Sequence, residues 1–211
     1  MVDQSTLTFL IAAIVLTITP GNDTMLTIRN SLSGHRPTGF ATLFGICSGL
    51  IVHGTFAALG ISVILVKSTE LFAIVKYIGA GYLVLLGLMS IRSGIRSYRA
   101  KTTEGFIDQH ATPAPLYRSF SEGFLSNVLN PKVALFYLSF LPQFIAPSDP
   151  FIKPLVLAGI NLMMGILWLS ALVLLINRLR VVLARPRNKA IIESVAGTML
   201  VGLGIRLAVD R

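Results

Sequence analysis

Apolar positions fall in long blocks along this chain. They cover about residues 7–27, 40–66, 71–91, 120–145, 154–176 and 191–209. Each block is close to the roughly 20 residues that an α-helix needs to cross a hydrocarbon core of about 30 Å. Polar residues collect between the blocks. Arg29, His35, Arg36 and Pro37 follow the first, and Lys67 to Glu70 make a short turn after the second. The longest polar stretch, with Arg92, Arg96, Arg99, Lys101 and Arg118, follows the third, and Pro113 and Pro115 make part of it extended. The pattern predicts an all-α integral membrane protein of six transmembrane helices, in one domain spanning residues 1–211.

Two of the six blocks are interrupted. The first is broken at Pro20-Gly21 and the fourth at Asn130-Pro131. The six blocks divide into two sets of three, each opening on a helix broken by proline. The third helix of each set carries an Ala-Gly pair, Ala80-Gly81 and Ala196-Gly197. We divide the chain into repeat one (1–94), a linker (95–117) and repeat two (118–211). Three spans is an odd number, so homologous halves lie inverted with respect to each other. Inverted repeats with discontinuous helices place substrate near the bilayer midplane. The breaks lie about 10–15 residues into their helices, roughly 15–22 Å deep at 1.5 Å per residue.

Composition agrees with the pattern. The chain has 211 residues, 54% hydrophobic and 13% charged, with a mean hydropathy of +0.76. A soluble domain averages about 25% charged residues. The net charge of +9 first suggests nucleic acid. The positive charges sit in loops, however, where the positive-inside rule places them, so the expected partner is membrane lipid and not nucleic acid. Lys and Arg number two, five and five in loops 1–2, 3–4 and 5–6, against one each in loops 2–3 and 4–5. That bias makes the three basic loops cytoplasmic and both termini external. Met1–Ser5 carries no Lys or Arg, unlike the basic start of a cleaved signal peptide. Glycine faces such as Gly45-xxx-Gly49 suit close helix packing, within one chain or in a homodimer.

The breaks carry the candidate chemistry. Thr19 can cap a half-helix that starts with Pro20, and Gly21 lets the backbone turn. The unpaired N–H groups of that first turn would stabilise a substrate carboxylate. Asn22 adds an amide. Asp23, a charge inside a membrane span, reads as functional by default. It can pair with an ammonium group or take and release a proton. In the second half Asn130 suits an N-cap and Pro131 the first helical position, with Asn127 and Lys132 nearby. Lys132 is either the counter-charge of Asp23 or a side chain that snorkels to the interface. The expected substrate site is therefore Thr19, Pro20, Gly21, Asn22, Asp23, Asn127, Asn130, Pro131 and Lys132, with Asp23 coupling to protons. His53 reads as a buried, hydrogen-bonded side chain, and Arg29 as a ligand for lipid headgroups or a guard at the entrance.

Enzyme chemistry has little to work with. The single cysteine, Cys47, excludes a dithiol relay, and Ser48 and His53 lie five apart, off the spacing that shares a helix face. No cofactor is implied.

The stretch TPGNDTMLTIRNSLSGHRPTGF resembles the opening of the LysE/RhtB family of bacterial amino-acid exporters. Pro20, Gly21, Asp23, Arg29, Asn30, Ser31, Leu32 and Gly34 match its pattern, while Asn22 stands where the family usually has a second proline. YIGAGYLVLLGLMSIRSG is similar to its third helix, and GFLSNVLNPKVALFYLSFLPQFI to its Asn-Pro-Lys helix. The resemblance implies six helices in the bacterial inner membrane. It implies export of an amino acid or derivative, such as threonine, homoserine, homoserine lactone, leucine or a basic amino acid, driven by the proton motive force. The wider superfamily makes a metal-cation exporter the alternative. A soft-metal site would have only Cys47, His53 and isolated acids to use.

Overall fold

The computed structural model describes residues 4–19, 21–33, 35–67, 69–100, 114–145, 149–150, 152–176 and 186–209. Pro20, most of the linker (101–113) and most of the second basic loop (177–185) lie outside the described residues.

Those residues form eight α-helices. The first apolar block becomes α1 (Gln4–Ile18) and α2 (Asn22–Ser33), which meet at a bend of 46°. α3 (His35–Lys67) and α4 (Thr69–Ala100) follow as long continuous helices. The fourth block becomes α5 (Leu116–Val128) and α6 (Pro131–Leu135), and the span it makes is also bent by 46°. α7 (Lys153–Leu174) and α8 (Pro186–Val209) complete the set. Three stretches, Arg36–Gly60, Tyr77–Arg96 and Lys153–Leu174, are each long and apolar enough to cross a membrane. The two bent pairs each reach that length together. The sixth expected block lies within α8.

Several boundaries differ from expectation. α2 runs on to Ser33, α3 begins at His35 and α8 at Pro186, so Arg29, His35, Arg36 and Pro37, expected in a loop, are helical. α4 runs through residues 92–100, which the sequence reading placed partly in the linker. Only Gly94 interrupts the helix formers there, and it is seated against the carbonyl of Ala190 in α8. Beyond α6 the chain winds into a π-turn (Phe136–Phe140) and then a 3₁₀ turn (Leu141–Phe144). Pro142 has no N–H for the carbonyl four residues back, so the regular ladder cannot continue through it.

Helix pairing follows the glycines. α3 and α5 run parallel. A Cβ on Gly45 would strike the backbone of Phe120 and Phe124, and one on Gly123 would strike that of Thr42. α4 and α8 run antiparallel, with Ala80, Gly87 and Gly94 set against Gly204, Gly197 and Ala190. At the crossing the contact is reciprocal. A Cβ on Gly87 would lie 2.5 Å from the carbonyl oxygen of Gly197, and one on Gly197 would lie 2.5 Å from that of Gly87. Backbones approach this closely only where side chains vanish.

Buried apolar side chains join the elements. Phe9 of α1 packs its ring 6.0 Å from Phe136 and 5.4 Å from Phe144 (centroid distances), which ties α1 to the irregular end of the fourth block. A second cluster, Leu43, Ile46, Cys47, Leu169 and Leu172, joins α3 to α7. Outward-facing residues are apolar as well. Leu7, Ile11, Ile14 and Ile18 make an exposed stripe on α1, and Phe56, Leu129 and Leu167 stand out from other helices. Apolar cover on this scale suits hydrocarbon rather than water.

Candidate functional site: a cavity between two helix breaks

The first break leaves a helix start open. The carbonyl of Gly21 accepts from the N–H of Met25 at 3.0 Å, so Gly21 takes the N-cap position of α2. The N–H groups of Asn22, Asp23 and Thr24 then have no intrahelical acceptor. Gly21 has no side chain to cap them. Thr19, expected as that cap, instead donates its hydroxyl back to the carbonyl of Val15 at 2.5 Å. This back-bond belongs to the end of α1, where a buried hydroxyl needs a partner and the preceding turn supplies one.

The second break is closed on itself. The side-chain oxygen of Asn130 accepts from the N–H of Lys132 at 3.0 Å, and Pro131 occupies the first helical position. The carbonyl of Asn130 accepts from Val133 and Ala134. Asn130 is 6% exposed, so the cap is made inside the protein.

Side chains cross from each break to the other. Asp23 accepts from Asn127 Nδ2 at 2.7 Å and from Ser126 Oγ at 3.1 Å, both at the end of α5. Lys132 Nζ donates to the carbonyls of Leu16 at 3.0 Å and Thr19 at 3.2 Å. These carbonyls lie at the end of α1, where an α-helix runs out of internal donors. Lys132 therefore turns inward, and the two candidate charges are each held by the opposite break rather than by a direct ion pair. Asn127 is fully buried. Its placement depends on Gly49, where a Cβ would lie 2.6 Å from Asn127 Oδ1.

A cavity of about 80 Å³ opens between the breaks, bordered by Thr19, Gly21, Asp23, Asn127, Asn130 and Lys132. A water needs about 10–15 Å³ by this kind of measure, so the space holds a handful of small groups. Carboxylates accept at about four positions and an ammonium donates three hydrogens. Asn130 also lies within hydrogen-bonding reach of Asp23, which leaves part of that carboxylate's acceptor capacity and one hydrogen on Lys132 for something in the cavity. A Cβ on Gly21 would lie 3.7 Å from Lys132 Nζ, so the open end of α2 and the ammonium group share one corner.

The other walls come from α3 and α7. Ile46 and Leu50 face Asn161, Gly165, Trp168 and Leu169. Asn161 Nδ2 donates to the hydroxyl of Tyr137 at 3.0 Å. His53 lies behind this wall, its Nε2 3.1 Å from the backbone oxygen of Asn127 and its ring stacked on Tyr137. The hydrogen bond expected from the sequence is present, while the side chain is half-buried rather than buried.

A polar cluster closes one end of the bundle. Arg29 Nη2 meets Glu122 Oε2 at 2.6 Å, joining α2 to α5, and Arg118 Nε reaches the other oxygen at 3.2 Å. Asn30 Nδ2 donates to Thr42 Oγ1 at 2.9 Å and to Glu122 at 3.3 Å, and Thr38 Oγ1 donates to the carbonyl of Asn30 at 2.6 Å. Arg29 thus holds a carboxylate of the same chain.

The structure gathers Thr19, Gly21, Asp23, Asn127, Asn130 and Lys132 around one cavity. Asn22 and Pro131 flank it and are exposed. Pro20 is outside the described residues. Sequence reasoning missed Ser126, Trp168, Asn161 and Glu122. Glu122 offered a signal, because a carboxylate inside the fourth apolar block obeys the rule that singled out Asp23. Among the described residues, no three His, Cys, Asp or Glu side chains converge on a metal-sized site.

A family model described as LysE type translocator matches residues 14–211. An uncharacterized membrane protein of Bacillus subtilis (strain 168), YrhP, is 33% identical over 96% of this chain and 98% of its own length. An uncharacterized membrane protein of Vibrio cholerae is 29% identical over 97% of each chain. A homoserine/homoserine lactone efflux protein of Salmonella typhi is 24% identical over 96% of this chain and 95% of its own. No solved structure matches.

Proposed function

The chain belongs to the LysE-type translocator family, and from that premise we propose that it exports a small neutral amino acid or derivative, of the threonine or homoserine kind, driven by the proton motive force. Membership makes it a multi-pass membrane transporter rather than an enzyme. The observation that carries the substrate reading is the cavity where Asp23, Lys132 and the open start of α2 meet. A zwitterion needs donors for its carboxylate and an acceptor for its ammonium. The α2 N–H groups and Lys132 serve the first, and Asp23 serves the second. The distant relative named as a homoserine efflux protein supports the same class.

Asp23 is the group that exchanges a proton against substrate. Bound ammonium and bound proton compete for one carboxylate, so loading and release alternate. The arrangement we favour has six spans in two inverted repeats in the bacterial inner membrane, with both termini periplasmic. Its support lies in α4 and α8. Ala80, Gly87 and Gly94 each recur 110 positions later as Ala190, Gly197 and Gly204, a register about six positions off the one that matched Ala80-Gly81 with Ala196-Gly197, and the contact of Gly94 with Ala190 repeats as that of Gly204 with Ala80. A two-fold axis lying in the membrane plane produces that exchange. In this orientation the Arg29–Glu122 cluster closes the cytoplasmic end.

Purified protein in liposomes loaded with labelled threonine or homoserine tests the reading. Efflux should rise with an imposed pH gradient. In Asp23→Asn it should fall to background, about a hundredfold or more, as expected when an intramembrane acid is essential. Full export by Asp23→Asn would remove Asp23 from the mechanism. Efflux indifferent to the gradient would sink proton coupling.

A further inference from the structure

We propose that the gap between Gly165 of α7 and Leu50 of α3 receives the side chain of the substrate, and that the missing side chain at position 165 sets how large it can be. The proposal rests on the amino-acid reading of the same cavity and adds a size limit to it.

Glycine is a poor helix former, so a buried one in the middle of a helix calls for a reason. Elsewhere in the chain the reason is packing. A Cβ on Gly45, Gly87, Gly123 or Gly197 would strike the backbone of a neighbouring helix. Gly165 is different. It is buried within α7, yet no neighbouring backbone comes near it. Among the described residues, a Cβ there would meet one atom of another helix within 4 Å, Leu50 Cδ1 at 3.2 Å. That atom is the movable end of a side chain. Gly165 and Leu50 both border the cavity. A methyl at position 165 would therefore enter the cavity from the α7 side and press Leu50 on the α3 side. The glycine keeps space open here, rather than letting two helices touch. The lining decides what fills that space. Asp23, Lys132 and the open start of α2 take the charged ends of an amino acid at the helix breaks. Leu169 lies one turn on from Gly165, and Ile46 one turn back from Leu50, and both border the cavity. Asn161, one turn back from Gly165, has its amide engaged with Tyr137. This part of the wall carries no charge, so a basic side chain would lie there without a counter-charge. The group that fits is small and uncharged.

Alanine stops at a single methyl, and threonine adds a hydroxyl and a second methyl to it. In liposomes, Gly165→Ala should lower the threonine-to-alanine ratio of transport kcat/KM about tenfold relative to wild type, as expected when one methyl is placed in a tight apolar pocket. Alanine favours a helix over glycine, so the exchange suits α7. Adding Leu50→Val removes the atom that faces position 165 and should bring the ratio back to within a few-fold of wild type. An unchanged ratio in Gly165→Ala would overturn the proposal while leaving the amino-acid reading intact. So would an equal loss of both substrates that Leu50→Val does not relieve, because that marks a purely structural role. Transport of neither amino acid by the wild type would sink that reading and this proposal together. Should Gly165→Ala misfold, Leu50→Val alone decides. It widens the gap and should raise leucine transport relative to threonine several-fold. A leucine-to-threonine ratio equal to that of the wild type would then refute the size limit.

Discussion

The two helix breaks perform the same manoeuvre with opposite results. At the second, Asn130 spends its side chain on the freed N–H of Lys132 and the new helix start is satisfied from within. At the first, the capping position is Gly21, which has nothing to give, and Thr19 turns its hydroxyl backwards onto Val15. One break is chemically finished and the other is left short of acceptors. The finished break then lends its side chains to the unfinished one, Lys132 to the carbonyls of α1 and Asn127 to Asp23. A pair of matching sequence features thus divides labour: one end presents backbone donors to a ligand, and the other fixes the frame around them.

Three substitutions press on that division. The largest effect is expected from Lys132→Met, which keeps the length of the side chain and removes its donors. The carbonyls of Leu16 and Thr19 lose their partner and the cavity loses its cation. Efflux should drop about a hundredfold, since loss of a charged hydrogen-bonding group in a buried site costs several kcal/mol. Survival of more than a tenth of the wild-type rate would show that the second break is not needed to hold the first. Next comes Gly21→Ser, which gives the open helix start a cap of its own. Its added Cβ meets Lys132 Nζ only at 3.7 Å, so the side chain fits. Thermal stability should rise slightly, by a few tenths of a kcal/mol. Affinity for substrate should fall about tenfold, because a hydroxyl now occupies the donors. A stabilised variant with unchanged KM would show that substrate does not use that helix start. The smallest effect belongs to Asn130→Ala. It removes a cap worth about 1 kcal/mol. It should lower the melting temperature of the purified protein and reduce transport only a few-fold. A loss as deep as that of Lys132→Met would erase the distinction between the breaks.

Local features were readable in the chain. Pro-Gly and Asn-Pro inside apolar blocks interrupt a helix whatever surrounds them, and a carboxylate at that depth stands out by its cost. Asn130 as an N-cap needs only its immediate neighbours. Features set by distant partners were not readable. Lys132 had two plausible fates, and the choice was made by carbonyls more than a hundred positions earlier. Arg29 read as a headgroup ligand or a guard at the entrance, and its neighbour Glu122 lies too far along the chain to be seen from it. Thr19 had a free choice between capping forward and bonding backward. Trp168 lies in an α7 as apolar as any packing helix, and nothing in its own segment tells a cavity wall from a core. Composition likewise carried α4 to its expected end at residue 91. Its continuation to Ala100 depends in part on α8, against which Gly94 is seated.

The crossing of α4 and α8 also limits how the protein can change. Where a large residue meets a small one, a harmful enlargement on one side can be rescued by shrinking the other. Gly87 and Gly197 each already face the carbonyl of the other, and no residue is smaller than glycine. A suppressor selection started from Gly87→Leu should therefore yield reversion, and no compensating exchange at position 197. Heredity has one solution at this point, and both halves of the chain must keep it.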